Sequence, residues 1–238
     1  MRFILLVLLL GAVAMAADAQ TPDSTRQRAT VSAALLETEM VAVGGDSTRR
    51  ETITRLTGDV RVRQGETVLT SRRAVRYLDR GTIHFFGDVV IVERGDTLRS
   101  PEVRYDERTK TGEATGPLRL TDGEVVVTAP RGTYFTREKR AAFDEGVQLV
   151  DSATVLTSET GVYFSDEKRA EFAGAVHLDE PRSTLDADSV TYLRETKESF
   201  ARGHVFVERR GGDGEADADS TQRTFLFGQK AYSDERRG

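Results

Sequence analysis

The chain has 238 residues, a formal net charge of −5, 38% hydrophobic and 31% charged residues, and neither Trp nor Cys. That balance excludes a disulfide-stapled scaffold and gives no basic footprint for nucleic acid. The length allows one large or two small domains, whose core must come from Phe, Tyr, Val and Leu.

Residues 1–19 read as a cleaved signal peptide. Arg2 supplies the positive start, Phe3 to Val13 the apolar stretch, and Ala14, Ala16, Ala17 and Ala19 the small residues of a cleavage site. The uncharged run from Phe3 to Ala17 is short for a membrane span of about 20 residues. An exported chain without cysteine has no disulfides, so packing and backbone pairing must hold it together. Residues 20–30 are expected to be a disordered linker, and 31–238 to carry the fold.

From there the chain repeats itself every 29 residues. The stretches LTGDVRV, FFGDVVI, ATGPLRL, FDEGVQL, FAGAVHL and ARGHVFV share the pattern apolar-x-x-x-apolar-x-apolar. Its first position is Leu56, Phe85, Ala114, Phe143, Phe172 and Ala201. The second is Val60, Val89, Leu118, Val147, Val176 and Val205, and the third Val62, Ile91, Leu120, Leu149, Leu178 and Val207. Between these runs lies a second strip, a branched residue, then Ser or Ala two later, then Tyr. Its copies are Leu69/Ser71/Tyr77, Leu98/Ser100/Tyr105, Val127/Ala129/Tyr134, Leu156/Ser158/Tyr163, Leu185/Ala187/Tyr192 and Phe225/Phe227/Tyr232. An atypical leading segment from about residue 34 supplies a first hairpin.

Alternation within each run is that of a strand with one buried face. Short turns, some carrying glycine (QGE at 65, RGD at 95, DGE at 123), favour antiparallel hairpins over parallel crossovers. Gly58, Gly87, Gly116, Gly146, Gly174 and Gly203 recur inside one strand of each pair and mark a bend. The expected fold is all-β, an elongated antiparallel meander of about six 29-residue hairpins, creased along its length. GGDGEADADS, near 210–220, reads as a solvated loop insertion.

The unit G-x-V-x-[VIL] followed by L-x-A-D-x-V-x-Y, clearest in LDADSVTY at 185–192, resembles the repeat of the OstA-like, LptA-type family of periplasmic lipopolysaccharide-transport proteins. That family is related to the N-terminal domain of the outer-membrane protein LptD. The resemblance implies a taco-like β-jellyroll whose apolar groove shields lipid A acyl chains. It implies that the large residues of the three repeated positions, from Leu56 to Val207, line that groove, with Phe85, Phe143 and Phe172 foremost. It also implies lipopolysaccharide as partner, edge-strand pairing with other Lpt-type jellyrolls, end-to-end self-association and a bridge between inner and outer membranes. No cofactor or catalysis is implied, and an ATP-powered partner would drive movement. The chain stops at DERRG where a further rung is expected, either on an open edge or as a fragment.

Periodicity alone does not distinguish a groove from a dry core, and a packed core is the plainer reading of an apolar strip. Two other readings therefore stand beside transport: a structural or adhesive β-repeat protein with a closed core, and a periplasmic piece of an outer-membrane lipopolysaccharide-assembly protein. His84, His177 and His204 face outward at unrelated positions and form no metal column. Ala114 and Ala201 read as packing. Arg61, Arg63, Arg72, Arg73 and Arg76 read as an outward basic cluster on a solvated face. In LDADSVTY, Asp186 and Asp188 belong to the wet side of the strand. The chain has no nucleophile elbow, phosphate loop or zinc-protease motif.

Overall fold

The structure, a computed structural model, describes residues 29–43, 46–210 and 223–234. The expected signal peptide, most of the linker and the insertion lie outside them. The described residues form sixteen strands and no helix, and the pairings whose registers are resolved are antiparallel. The chain is therefore all-β and built of hairpin repeats, as its alternation requires. It divides into two compact units. The first runs up to Leu120 and takes in Arg131–Lys139; the second comprises Thr121–Pro130 and the chain from Arg140 on.

The first unit contains β1 (Thr30–Ser32), β2 (Leu35–Val43), β3 (Asp46–Gln64), β4 (Thr67–Tyr77), β5 (Thr82–Glu93), β6 (Asp96–Asp106) and β7 (Thr111–Thr121, all but its last residue). From β3 to β7 each strand pairs with the next, while β1 and β2 both pair with β3. The leading segment does form a hairpin, with Leu36 opposite Leu56.

The second unit receives the first residues of β8 (Val125–Phe135). It continues with β9 (Arg140–Asp144), β10 (Val147–Asp151), β11 (Thr154–Ser158), β12 (Thr160–Phe164), β13 (Arg169–Glu180), β14 (Ser183–Leu193), β15 (Glu198–Arg210) and β16 (Arg223–Asp234). Here β10, β11, β13, β14, β15 and β16 pair in that order, and β12 joins β9 to β13.

Four of the recurring glycines, Gly58, Gly87, Gly174 and Gly203, sit in β-bulges. Between Phe86 and Val89 two residues, Gly87 and Asp88, oppose Pro101 alone, with φ of +76° and +51°. The register shifts at the same place in β3, β13 and β15. A bulge bends the strand and leaves part of the ladder unpaired. The second strip meets that need: Ser100 Oγ donates to the carbonyls of Glu102 at 2.9 Å and Thr115 at 3.1 Å. Ser71 and Ser158 bond the carbonyl two residues on in the same way. Gly146 stands one residue late against the 29-residue step. The left-handed slot falls to Glu145 (φ +67°), and both strands of that hairpin are interrupted here, β9 from β10 and β11 from β12.

Three assignments of facing need correction. Arg76, placed with the outward basic cluster, lies opposite Thr54 and Ile83 on the inward face. Tyr77 takes the other face, opposite Ile53, with its ring 5.2 Å from that of His84. In the last hairpin Val205 pairs with Gly228 and Val207 with Leu226, so the inward places belong to Leu226 and Gly228. Phe225, Phe227 and Tyr232 point outward. Phe227 lies 4.9 Å from Phe206, ring to ring, and is 80% exposed. A slip of one residue turns every side chain of a strand over.

Candidate functional site

The inward strip is buried along both units. Leu56, Val60, Val62, Phe85, Val89, Ile91, Leu118 and Leu120 are buried in the first, with Val89 and Ile91 wholly enclosed. Phe143, Val147, Leu149, Phe172, Val176 and Val205 are buried in the second, while Leu178 and Val207 are half-buried. Ala114 and Ala201 are buried among them. Gly161 pairs with both Phe143 and Phe172, and a Cβ there would stand 3.3 Å from the Phe172 ring. Its missing side chain is what lets the phenyl ring lie over that strand.

In the first unit the strip does not close completely. Val31, Leu56, Val60, Val62, Ala74, Leu78, Ile83 and Phe85, with Thr38, Thr54 and Arg76, surround a cavity of about 170 Å³. Four of the expected site residues meet there: Leu56, Val60, Val62 and Phe85. The hydroxyls of Thr38 and Thr54 bond each other at 3.1 Å, so little of the wall's polarity is left over. The remaining charge is that of Arg76, whose Nη2 donates to both carboxylate oxygens of Glu107 at 3.1 and 3.2 Å.

Arg76 is the wall residue that reading the repeat by residue type missed. Counting in steps of 29 finds it: Arg76, Tyr105, Tyr134, Tyr163 and Tyr192 occupy one slot. All four tyrosines are buried. Burial, with Glu107 and Asp106 adding to it, pushes the Tyr105 phenol up to about 12. At the far end of β5 and β6 the inward face turns polar, with Thr67, Glu93 and Asp96 buried. Burial holds the Glu93 carboxyl above its ordinary value.

Outside, the histidines and aspartates pair locally. His177 Nδ1 lies 2.6 Å from Asp186, and His204 Nδ1 2.9 Å from Asp188. The aspartates of LDADSVTY are thus cross-strand partners of histidine on the wet face. No cluster of three His, Cys, Asp or Glu placed to hold a metal occurs among the described residues. Arg61, Arg63, Arg72 and Arg73 are exposed, and Arg72 pairs with Asp88.

Among curated proteins none matches the chain. A solved structure it resembles is LptH, "the LptA homologous periplasmic component of the conserved lipopolysaccharide transport device from Pseudomonas aeruginosa". That likeness has 16% identity over 67% of this chain and 93% of LptH, with a TM-score of 0.26. The family model described as OstA-like protein matches residues 36–188, which span most of the hairpin repeats. On that match, the chain belongs to the OstA-like family.

Proposed function

We propose that this protein is a periplasmic, non-catalytic carrier of lipopolysaccharide. Its inward apolar strip shields lipid A acyl chains, and its edge strands join it to other Lpt-type proteins or to further copies in a bridge between the inner and outer membranes. The observation that carries this reading is the cavity in the first unit. A family fold with an apolar interior needs space for a guest, and that space lies against Leu56, Val60, Val62 and Phe85. Each buried CH₂ of an acyl chain contributes about 0.8 kcal/mol, so a chain is held there by area alone. The export reading of residues 1–19 supports the compartment, and the family supports the cargo.

Photo-crosslinking in cells tests it. A benzophenone at Phe85, on the cavity wall, is expected to trap lipopolysaccharide, while one at exposed Arg119 is not. Adducts of Phe85 to the protein alone would favour the closed-core reading and sink the carrier.

A further inference from the structure

Among the described residues, Arg76 is the one charged side chain in the cavity wall. The next four repeats fill the same slot with Tyr105, Tyr134, Tyr163 and Tyr192, all buried, so the hairpin does not need a cation there. A partly buried ion pair is a poor way to stabilise a fold. Desolvation of both groups offsets most of their attraction, and a well-packed neutral residue does as well or better. The side chains of Arg76 and Glu107 are only 22% and 14% exposed. The pair is also incomplete. Both of its hydrogen bonds leave from Nη2, so the rest of the guanidinium is not engaged by Glu107.

The remainder of the wall says what kind of ligand belongs there. It is aliphatic and aromatic, and its two hydroxyls are bonded to each other. An apolar cavity with a single guanidinium complements a molecule with an apolar tail and one anionic head. Leu78, beside Arg76 in the wall, is 43% exposed, which puts the cation near the open side and the tail's place within. We propose that the cavity is selective for anionic amphiphiles, with Arg76 binding the head group, carboxylate or phosphate, and Leu56, Val60 and Phe85 the tail. Glu107 positions the guanidinium until the ligand arrives. This rests on the lipid-carrying reading above and adds to it a head-group preference.

The test uses the full chain and three ligands with the same twelve-carbon tail: dodecyl phosphate, laurate and dodecanol. Their affinities are read by displacement of a neutral fluorescent probe. Wild type is expected to prefer one or both anions over the alcohol by roughly tenfold or more, the size of a charge-assisted hydrogen bond. The stronger of the two names the head group. Arg76→Tyr, which installs the side chain of the other repeats, is made together with Glu107→Gln so that no carboxylate is left without its partner, and is expected to bring all three ligands within about twofold. Arg76→Gln in the same background is expected to do the same, which guards against a packing effect of the ring. Equal affinities in wild type, or a preference that survives both variants, would overturn the head-group assignment and leave the carrier standing. Failure of wild type and variants to bind any of the three would remove both.

Discussion

Gly174 holds φ at +81°, and a Cβ built on it would stand 2.6 Å from the Cβ of Glu159. Neither the backbone nor the cross-strand neighbour gives room for a methyl group. Gly174→Ala is expected to cost about 2 kcal/mol in urea unfolding, the sum of left-handed strain and displacement of the facing strand. Gly112, in β7, is the control. It is not left-handed, and the nearest atom to its Cβ is a Tyr105 ring carbon at 3.8 Å. Gly112→Ala should be neutral or gain a few tenths of a kcal/mol. Equal losses at both positions would mean that the bulge does not need its glycine. The glycines are legible in the sequence because all but Gly146 keep step. Arg76 is not, because Tyr77 beside it has the expected residue type and draws the eye one position off the step. Phase carries the facing of a strand residue, and residue type does not.

At the scale of the hairpin, β5 and β6 meet in a turn whose inward side holds Glu93 and Asp96. Burial raises the Glu93 carboxyl above its ordinary 4.5, and nearby Asp96 and Glu66 add to this. The bond with Thr67 and the charge of Arg94 act the other way without reversing it. A carboxyl whose folded value is raised binds its proton more tightly in the native state. Its contribution to stability is therefore whole below about 4.5 and is lost as pH rises through the folded value. Wild type should lose stability relative to Glu93→Gln as pH goes from 4 to 7, seen as a widening gap between urea midpoints in favour of the variant. A gap that is constant, or that narrows with pH, would show Glu93 ionising freely. The alternation and the turns place this hairpin in advance, whereas the polarity of its inner rim is invisible in a repeat defined by apolar positions. The last hairpin failed for a different reason. The insertion at about 210–220 breaks the 29-residue count, so residue type alone puts Phe225, Phe227 and Tyr232 on the wrong face. The pairing of Phe206 with Phe227 restores the phase.

Across the whole molecule the repeat determines what is buried, and the strands without a second partner determine what is left to bind. Among the described residues β2 pairs only with β3, and β16 only with β15. Leu35, Leu36 and Met40 are exposed on the former, and Phe225, Leu226 and Phe227 on the latter. A long apolar edge with free backbone groups recruits another strand unless charge or proline blocks it. On the proposed reading these edges serve assembly, so the protein should associate with itself or with related chains through them. Sedimentation velocity over a range of concentrations is expected to show mass growing with concentration for the wild-type chain. Phe225→Lys with Phe227→Lys should return it toward monomer. Because both side chains already face solvent, stability should change by no more than about 0.5 kcal/mol for each substitution. Loss of association with an unchanged unfolding midpoint would locate the contact on β16. Growth in mass that ignores both lysines would move it elsewhere, with β2 the next strand to charge. A wild-type chain that stays monomeric throughout would end the self-association proposal and leave edge pairing to other partners.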